Sequence, residues 1–199
     1  VYKTKGWSGK IQHKSGMPFQ APMDGCNIQL TLDLEYQSIL EEELKRRQIE
    51  TNALSATGII MDPQSGEILA MASTPGFDNN KFGTSLPAQQ RIRAITDQFE
   101  PGSTFKVVSA VSAISKNTVS LEEEFNCENG KFAYYNITVR DHDEHAMLTL
   151  PQIIRFSSNI GMIKVMERVG TKSLYQTSRD FGFGSTTGIS LAGEMSGKL

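Results

Sequence analysis

The sequence predicts a mixed α+β fold in which an antiparallel sheet is flanked by helices. Two short apolar runs, residues 57–61 and 67–72, flank the turn sequence Asp62-Pro63-Gln64-Ser65-Gly66, and this pattern indicates a β-hairpin. Segments with helical spacing of apolar residues lie both before and after this hairpin. Such an order of elements is typical of an antiparallel sheet covered by helices.

The first part of the chain divides at about residue 25. Residues 1–24 are rich in Gly, Lys and Ser, and we expect a linker or the tail of a preceding domain there. Residues 27–34 alternate in a way that predicts a strand, and residues 35–50 predict an amphipathic helix. The apolar stripe of this helix consists of Tyr36, Ile39, Leu40 and Leu44.

The second part of the chain is predominantly helical. Residues 74–91 are expected to be rich in loops, and residues 131–140 have a β-like pattern. Helices are predicted after Gly102 and near residues 151–156, 160–168 and 171–181.

Composition excludes several function classes. The 199 residues are 38% hydrophobic and 21% charged, a composition that allows a hydrophobic core. The net charge of −2 gives no excess of positive charge for binding nucleic acid. No apolar run is long enough to span a membrane, and no signal-peptide pattern occurs.

Neither the cysteines nor the histidines predict a metal or cofactor. Cys26 and Cys127 make neither a zinc set nor a disulfide framework, so we expect buried free thiols, with a single disulfide as the open alternative. The segment Asp141–His145 offers two histidines and three carboxylates to a divalent ion. Because no third distant ligand accompanies it, we predict no metal site there.

A serine and a lysine lie at a spacing that suits nucleophilic catalysis. Pro101 and Gly102 break the preceding segment, so we expect a helix that carries Ser103 in its first turn. Three residues along a helix are nearly one turn, which brings the Lys106 amine beside the Ser103 hydroxyl. A serine is a weak nucleophile until a base removes its proton, and a lysine can be that base when its pKa is lowered. We therefore predict Ser103 as the nucleophile and Lys106 as its base.

A second polar cluster, Ser157-Ser158-Asn159, lies between two predicted helices. The Ser157 hydroxyl can relay a proton between Lys106 and a leaving amine, and the Asn159 amide offers a donor and an acceptor to a substrate peptide group. We predict Ser157 as a catalytic residue and Asn159 as a substrate-binding residue. The alternative is that the cluster only caps the following helix.

These motifs and their surroundings resemble the transpeptidase domain of class B penicillin-binding proteins, the enzymes that cross-link bacterial peptidoglycan. The resemblance extends in order from about residue 25 to residue 199. Its blocks are Asn27–Asp33, Asp62–Ser73, Phe99–Lys106, Cys127–Gly130, Asp141–His145 leading into Ser157–Asn159, and Phe181–Gly184 with Thr187–Ile189.

The resemblance implies a fold and a location. The family has the fold of serine β-lactamases and transpeptidases, with a five-stranded antiparallel sheet beside a helical subdomain and the active site between them. Residues 25–199 would be the N-terminal portion of this domain. A single-pass anchor in the inner (cytoplasmic) membrane and a pedestal domain would precede it, which places the catalytic domain on the periplasmic or extracellular side.

The resemblance also implies a reaction. A D-Ala-D-Ala stem peptide of peptidoglycan would acylate Ser103, and β-lactam antibiotics would block the enzyme by the same route. No cofactor is expected. Proteins of a cell-wall synthesis or division complex would be its partners.

The family's third motif, Lys-Thr-Gly or a close variant, does not occur in this sequence. In the family, that motif lies on a later strand, which binds the substrate carboxylate and supplies the second oxyanion-hole N–H. We therefore expect a piece of a longer protein, with an incomplete active site and little activity of its own.

Two other functions remain open at this point. A serine β-lactamase or β-lactam sensor shares the Ser-x-x-Lys motif, but the sequence has no Glu-x-x-Leu-Asn segment to activate a deacylating water. A non-catalytic, partner-binding fragment of a cell-wall synthesis complex is compatible with the missing third motif.

Overall fold

A computed structural model of the chain describes residues 3–5, 11–13 and 23–199, so most of the predicted linker, residues 1–24, lies outside the described residues. Within these ranges, short strands form four two-stranded antiparallel sheets, and α-helices pack beside them. The strands are β1 (Lys3–Lys5), β2 (Ile11–His13), β3 (Ala56–Met61), β4 (Ile68–Thr74), β5 (Glu124–Asn126), β6 (Lys131–Tyr134), β7 (Ile137–Arg140) and β8 (Met147–Thr149). The helices are α1 (Leu34–Thr51), α2 (Arg93–Thr96), α3 (Lys106–Ser115), α4 (Leu150–Arg155), α5 (Asn159–Val169) and α6 (Thr171–Asp180). The predicted α+β class is confirmed.

The predicted hairpin is formed by β3 and β4. The two strands pair antiparallel, from Ala56 opposite Thr74 to Met61 opposite Ile68. Asp62 closes the turn because its carboxylate accepts the backbone N–H of Gln64 at 2.7 Å. The Pro/Gly sequence at residues 62–66 therefore forms the turn of the hairpin, as its composition predicts.

Helix α1 packs on this hairpin at Gly58. A Cβ at position 58 would lie 2.8 Å from Leu40 Cδ1 and 3.4 Å from Leu44 Cδ1, so glycine permits the close approach of helix and strand. The predicted stripe is right for these two leucines and wrong for Tyr36 and Ile39, which are 46% and 51% exposed. The hairpin is only two strands wide and covers only part of the helix surface.

The strand predicted at residues 27–34 is wrong. Residues 23–33 have no regular secondary structure, and Leu34 already begins α1. The segment meets β4 through two hydrogen bonds, from Thr31 Oγ1 to Ile68 O at 2.6 Å and from Asp33 N to Leu69 O at 2.8 Å. Asp33 also caps α1, because its carboxylate accepts the backbone N–H groups of residues 35 and 36. Because α1 begins directly after Asp33, the segment makes only these two hydrogen bonds to β4 and does not form a strand.

The main hydrophobic core lies among α3, α4, α5 and the β5–β8 pair. Its buried residues are Ala113, Val119, Phe125, Cys127, Leu148, Leu150, Ile153, Met162, Val165 and Val169. At Gly161, a Cβ would lie 2.6 Å from Ile153 Cγ1 and 3.1 Å from Cys127 Sγ, so the first turn of α5 packs directly on α4. This close packing fixes the start of α5, where Asn159 lies.

The predicted helices and the β-like segment of the second half are confirmed. Residues 131–140 form the β6–β7 hairpin, and α4, α5 and α6 coincide with the three predicted helices within a few residues. Both cysteines are free thiols, Cys127 buried as expected and Cys26 exposed contrary to expectation. Of the helices in the described ranges, none combines the length and the apolarity that crossing a bilayer requires.

Candidate active site

The Ser103–Lys106 motif lies at a change of helix type. Residues Gly102–Phe105 form a 3₁₀ helix, and the α-helix begins only at Lys106, so Ser103 precedes the first α-helical turn rather than lying in it. Because a 3₁₀ helix has three residues per turn, side chains at i and i+3 lie directly above each other. Gly102 has φ +60°, a backbone conformation that favours glycine.

The second motif lies at the junction of α4 and α5. Helix α4 ends in a Schellman motif, in which Ser158 N donates to Ile153 O at 3.0 Å and Ser157 N donates to Ile154 O at 3.2 Å. Ser157 occupies the left-handed position of this motif with φ +54°, where glycine is the usual residue. A non-glycine residue in this conformation costs about 1–2 kcal/mol. Ser158, not Ser157, caps α5, because its hydroxyl accepts Gly161 N–H at 2.9 Å.

Lys106 joins the two motifs. Its Nζ lies 3.3 Å from Ser103 Oγ and 3.0 Å from Ser157 Oγ. It also lies 2.6 Å from Ser157 O and 2.8 Å from Asn159 Oδ1. The other three residues predicted for the site are therefore within hydrogen-bonding distance of the Lys106 amine, although more than fifty positions separate the motifs in the sequence.

The partners of Lys106 suit a neutral amine. The carbonyl of Ser157 and the Asn159 Oδ1 can only accept hydrogen bonds, and they lie at the two shortest distances from Nζ. A neutral amine has two N–H donors, which these two acceptors take, and one lone pair. The two remaining neighbours, Ser103 Oγ and Ser157 Oγ, are hydroxyls that can donate to this lone pair. The contacts are thus compatible with a neutral amine that accepts a hydrogen bond from one of the two hydroxyls.

Burial lowers the pKa of Lys106 below its ordinary value, and the negative charge of Asp141 acts in the opposite direction. The amine is half-buried, while Ser103, Ser157 and Asn159 are exposed. The Lys106 amine is thus partly shielded from water, and the Ser103 hydroxyl is open to solvent.

The Asn159 side chain is held at both ends. Its Oδ1 accepts from Lys106, and its Nδ2 donates to Arg140 O at 3.1 Å. One N–H of Nδ2 and one lone pair of Oδ1 remain for a ligand. Asn159 therefore contacts Lys106, which the sequence did not predict, and it keeps the donor and acceptor expected for a substrate.

Asp141 is the site residue that the sequence analysis missed. Its carboxylate accepts from Asn159 N at 2.6 Å and from Ser158 Oγ at 2.5 Å. The sequence analysis placed this residue in the Asp141–His145 block, predicted no metal site there and gave Asp141 no part in the site. Within the described ranges, no group of three or more His, Cys, Asp or Glu side chains is arranged to hold a metal ion. The helix start that Asp141 binds lies 18 positions later in the sequence, beyond α4, so no local pattern pointed to this contact.

Aromatic packing supports the Ser103 turn from the other side. The Phe105 ring meets Phe183 edge to face, with ring centroids 5.1 Å apart. The turn that carries Phe183 is held by Arg179, whose Nη1 donates to Phe183 O at 3.2 Å and to Gly184 O at 2.7 Å. The Phe181–Gly184 block is thereby linked to the candidate nucleophile.

Comparison with known proteins gives a family match over most of the chain. Residues 56–199 match the family model of the penicillin binding protein transpeptidase domain. The chain is 31% identical over 194 residues to stage V sporulation protein D of Bacillus subtilis, covering 96% of this chain and 30% of that protein. It is 33% identical over 180 residues to the probable peptidoglycan D,D-transpeptidase PenA of Neisseria gonorrhoeae, covering 90% of this chain and 31% of PenA.

The fold agrees as well. The transpeptidase domain of penicillin-binding protein 3 from Burkholderia pseudomallei superposes with a TM-score of 0.73 at 25% identity, covering 85% of this chain and 47% of that chain. The chain spans about a third of the length of these curated relatives. From the matched model and these relatives, the chain belongs to the penicillin-binding protein transpeptidase domain family.

Proposed function

We propose that this chain provides the nucleophile, base and proton relay of a peptidoglycan D,D-transpeptidase that acts through a serine acyl-enzyme. The observation that carries the proposal is the position of Lys106 Nζ, within 3.3 Å of both Ser103 Oγ and Ser157 Oγ. The name of PenA, a probable peptidoglycan D,D-transpeptidase, supports the same reaction.

In the first half-reaction, Lys106 takes the proton of the Ser103 hydroxyl. The Ser103 oxygen then bonds to the carbonyl carbon of the penultimate D-Ala of a stem peptide. The C–N bond to the terminal D-Ala breaks, and the proton passes from Lys106 through Ser157 to the leaving amine.

In the second half-reaction, the amine of a neighbouring stem peptide attacks the ester. The new amide forms the cross-link, the C–O bond to Ser103 breaks, and the proton of the amine returns to the Ser103 oxygen. β-Lactams follow the first half-reaction, but their ring-opened product stays attached to the serine. Asn159 contributes its free N–H and lone pair to the substrate peptide group.

The setting of the reaction is part of the same proposal. The domain boundary at about residue 25, a membrane anchor in the longer protein and a catalytic domain on the outer side of the cytoplasmic membrane are carried over from the family. Other proteins of cell-wall synthesis or division are the proposed partners. A β-lactamase is the weaker alternative, since no Glu-x-x-Leu-Asn segment is present to activate water.

Replacing Ser157 tests the relay. We expect Ser157→Ala to slow acylation of the full-length protein by a penicillin by about a hundredfold or more, because the proton then lacks its path to the leaving nitrogen. Stopped-flow kinetics with a chromogenic cephalosporin measure this rate.

Ser157→Gly is the matched variant, because glycine favours the left-handed backbone that Ser157 adopts. Both variants should be slow to a similar degree if the hydroxyl carries the proton. Recovery of the rate in the glycine variant would mean that the shape of the turn matters instead. An unchanged rate in both would leave Ser157 without a catalytic role.

The missing third motif leads to a prediction about the segment itself. We expect residues 1–199 alone to be acylated about a hundred to a thousand times more slowly than a longer protein that carries a Lys-Thr-Gly-type strand, because one oxyanion donor has that effect on rate. Mass spectrometry of both proteins after timed exposure to penicillin measures the difference. Equal, stoichiometric acylation would show that the two motifs present here suffice, whereas no acylation of either protein would favour the non-catalytic, partner-binding alternative.

A further inference from the structure

We propose that Asp141 is a positioning residue of the acylation site, whose carboxylate holds the turn that carries Ser157 and Asn159 against Lys106. The inference rests on the proposed function and adds a residue that the reaction scheme above does not use. Asp141 directly follows the last residue of β7, so it connects a strand end to a helix start.

The carboxylate binds the start of α5 with both oxygens. Asp141 Oδ1 accepts the backbone N–H groups of Asn159 at 2.6 Å and of Ile160 at 3.1 Å. Asp141 Oδ2 accepts the Ser158 hydroxyl at 2.5 Å. The first N–H groups of a helix have no partner within the helix, and the helix dipole favours a negative charge there. Three successive residues, the last two of the second motif and Ile160, are thus bound to one side chain.

These bonds determine where the catalytic atoms point. Asn159 is fixed twice by the same strand end, through its backbone N–H on Asp141 and through its amide on Arg140 O. Its Oδ1 is thereby directed at Lys106, and Ser157 lies immediately before the anchored Ser158. A displacement of about 1 Å in such a site costs about a hundredfold in rate.

Asp141 also acts on Lys106 through its charge. Burial lowers the pKa of the Lys106 amine, and the Asp141 carboxylate opposes this shift. The same charge stabilises the ammonium ion that forms when Lys106 takes the proton of Ser103. Removing the charge should therefore let the lysine lose its proton at a lower pH.

Other ionisable groups lie near the carboxylate and must be considered in a pH experiment. Burial raises the pKa of the Cys127 thiol, on which the Asp141 charge also acts. The other charged or titratable groups are Lys164 and Glu128, which act on Cys127, and Arg140, His142, Asp143, Glu144 and His145 on the same segment as Asp141.

The test compares three variants of the full-length protein. Asp141→Ala should lower the penicillin acylation rate constant by about a hundredfold at the optimal pH, because the turn loses its anchor. Asp141→Asn keeps an oxygen that accepts N–H groups but loses the charge, so its rate should fall less, and the acid limb of its pH–rate profile should move to lower pH. Asp143→Asn is the control, since Asp143 is exposed and its carboxylate makes no hydrogen bond to any described residue.

A second measurement does not depend on acylation. In protein labelled with ¹³C-lysine, the Lys106 signal, assigned by its loss in Lys106→Arg, should titrate at lower pH in Asp141→Asn than in the wild type or in Asp143→Asn. If Asp141→Ala fails to fold, as thermal unfolding would show, Asp141→Asn carries the test.

The outcomes separate the inference from the proposed function. Wild-type rates and an unshifted Lys106 titration in the Asp141 variants would overturn the inference and leave Asp141 as a helix cap. A wild-type protein that penicillin does not acylate at Ser103 would overturn the proposed function, whereas a shifted lysine titration in that same protein would still support the link between Asp141 and Lys106.

Discussion

Ser103→Ala is expected to abolish covalent labelling of the full-length protein by a fluorescent penicillin. In the proposed reaction only Ser103 forms the ester, because the Ser157 hydroxyl, 3.0 Å from Lys106 Nζ, carries the proton to the leaving amine. Loss of the nucleophile in serine enzymes lowers the rate by about a millionfold. Labelled protein should therefore fall to the background level on a denaturing gel.

The control for this variant is Ser38→Ala. Ser38 is exposed on α1, and the residue three positions later is Glu41 rather than a lysine. The Ser38 variant should be labelled like the wild type, and mass spectrometry should place the adduct of both proteins on the peptide that contains Ser103. Full labelling of Ser103→Ala would disprove the assignment of the nucleophile.

Local spacing explains why the sequence was sufficient to predict Ser103 and Lys106 as neighbours. Any helical turn, 3₁₀ or α, brings residues i and i+3 to one face, so the pairing did not depend on the exact helix type. The roles of the two residues remain predictions, but their proximity is a consequence of the local backbone.

The contact between the two motifs was not predictable from spacing. It depends on the packing of α5 against α4 at Gly161 and on the Schellman motif that gives Ser157 its left-handed backbone. Neither feature has a clear signal in the sequence, because the left-handed position usually holds glycine. Ser157 and Asn159 were predicted as site residues from the set of motifs and their side-chain chemistry, and not from periodicity.

One wrong prediction and one missed contact have the same origin. The strand predicted at residues 27–34 failed because the Asp33 cap begins α1 early, and the contact of Asp141 was missed because its partner is a helix start many residues later. In both cases a carboxylate binds backbone N–H groups, an interaction that is set by the path of the chain rather than by local side-chain pattern.

Lys106→Arg is expected to lower the rate of penicillin acylation by about two to four orders of magnitude, while the protein stays folded. Arginine keeps the positive charge but does not lose its proton at any accessible pH, so it cannot accept the proton of Ser103. Lys116→Arg is the matched control, since Lys116 is exposed at the end of the same helix. Circular dichroism and thermal unfolding should show both variants folded, and only Lys106→Arg should be slow.

The pH dependence of the acylation rate provides a second test of Lys106 as the base. In the wild type, acylation should increase with pH as the Lys106 amine loses its proton, by about tenfold per pH unit below its pKa. Because burial lowers the pKa of Lys106, the increase should level off at a lower pH than for a fully solvated lysine. The residual rate of Lys106→Arg should lack this limb, since no titrating base remains. An arginine variant that is acylated within tenfold of the wild-type rate, with the same acid limb, would show that the proton of Ser103 goes to another group.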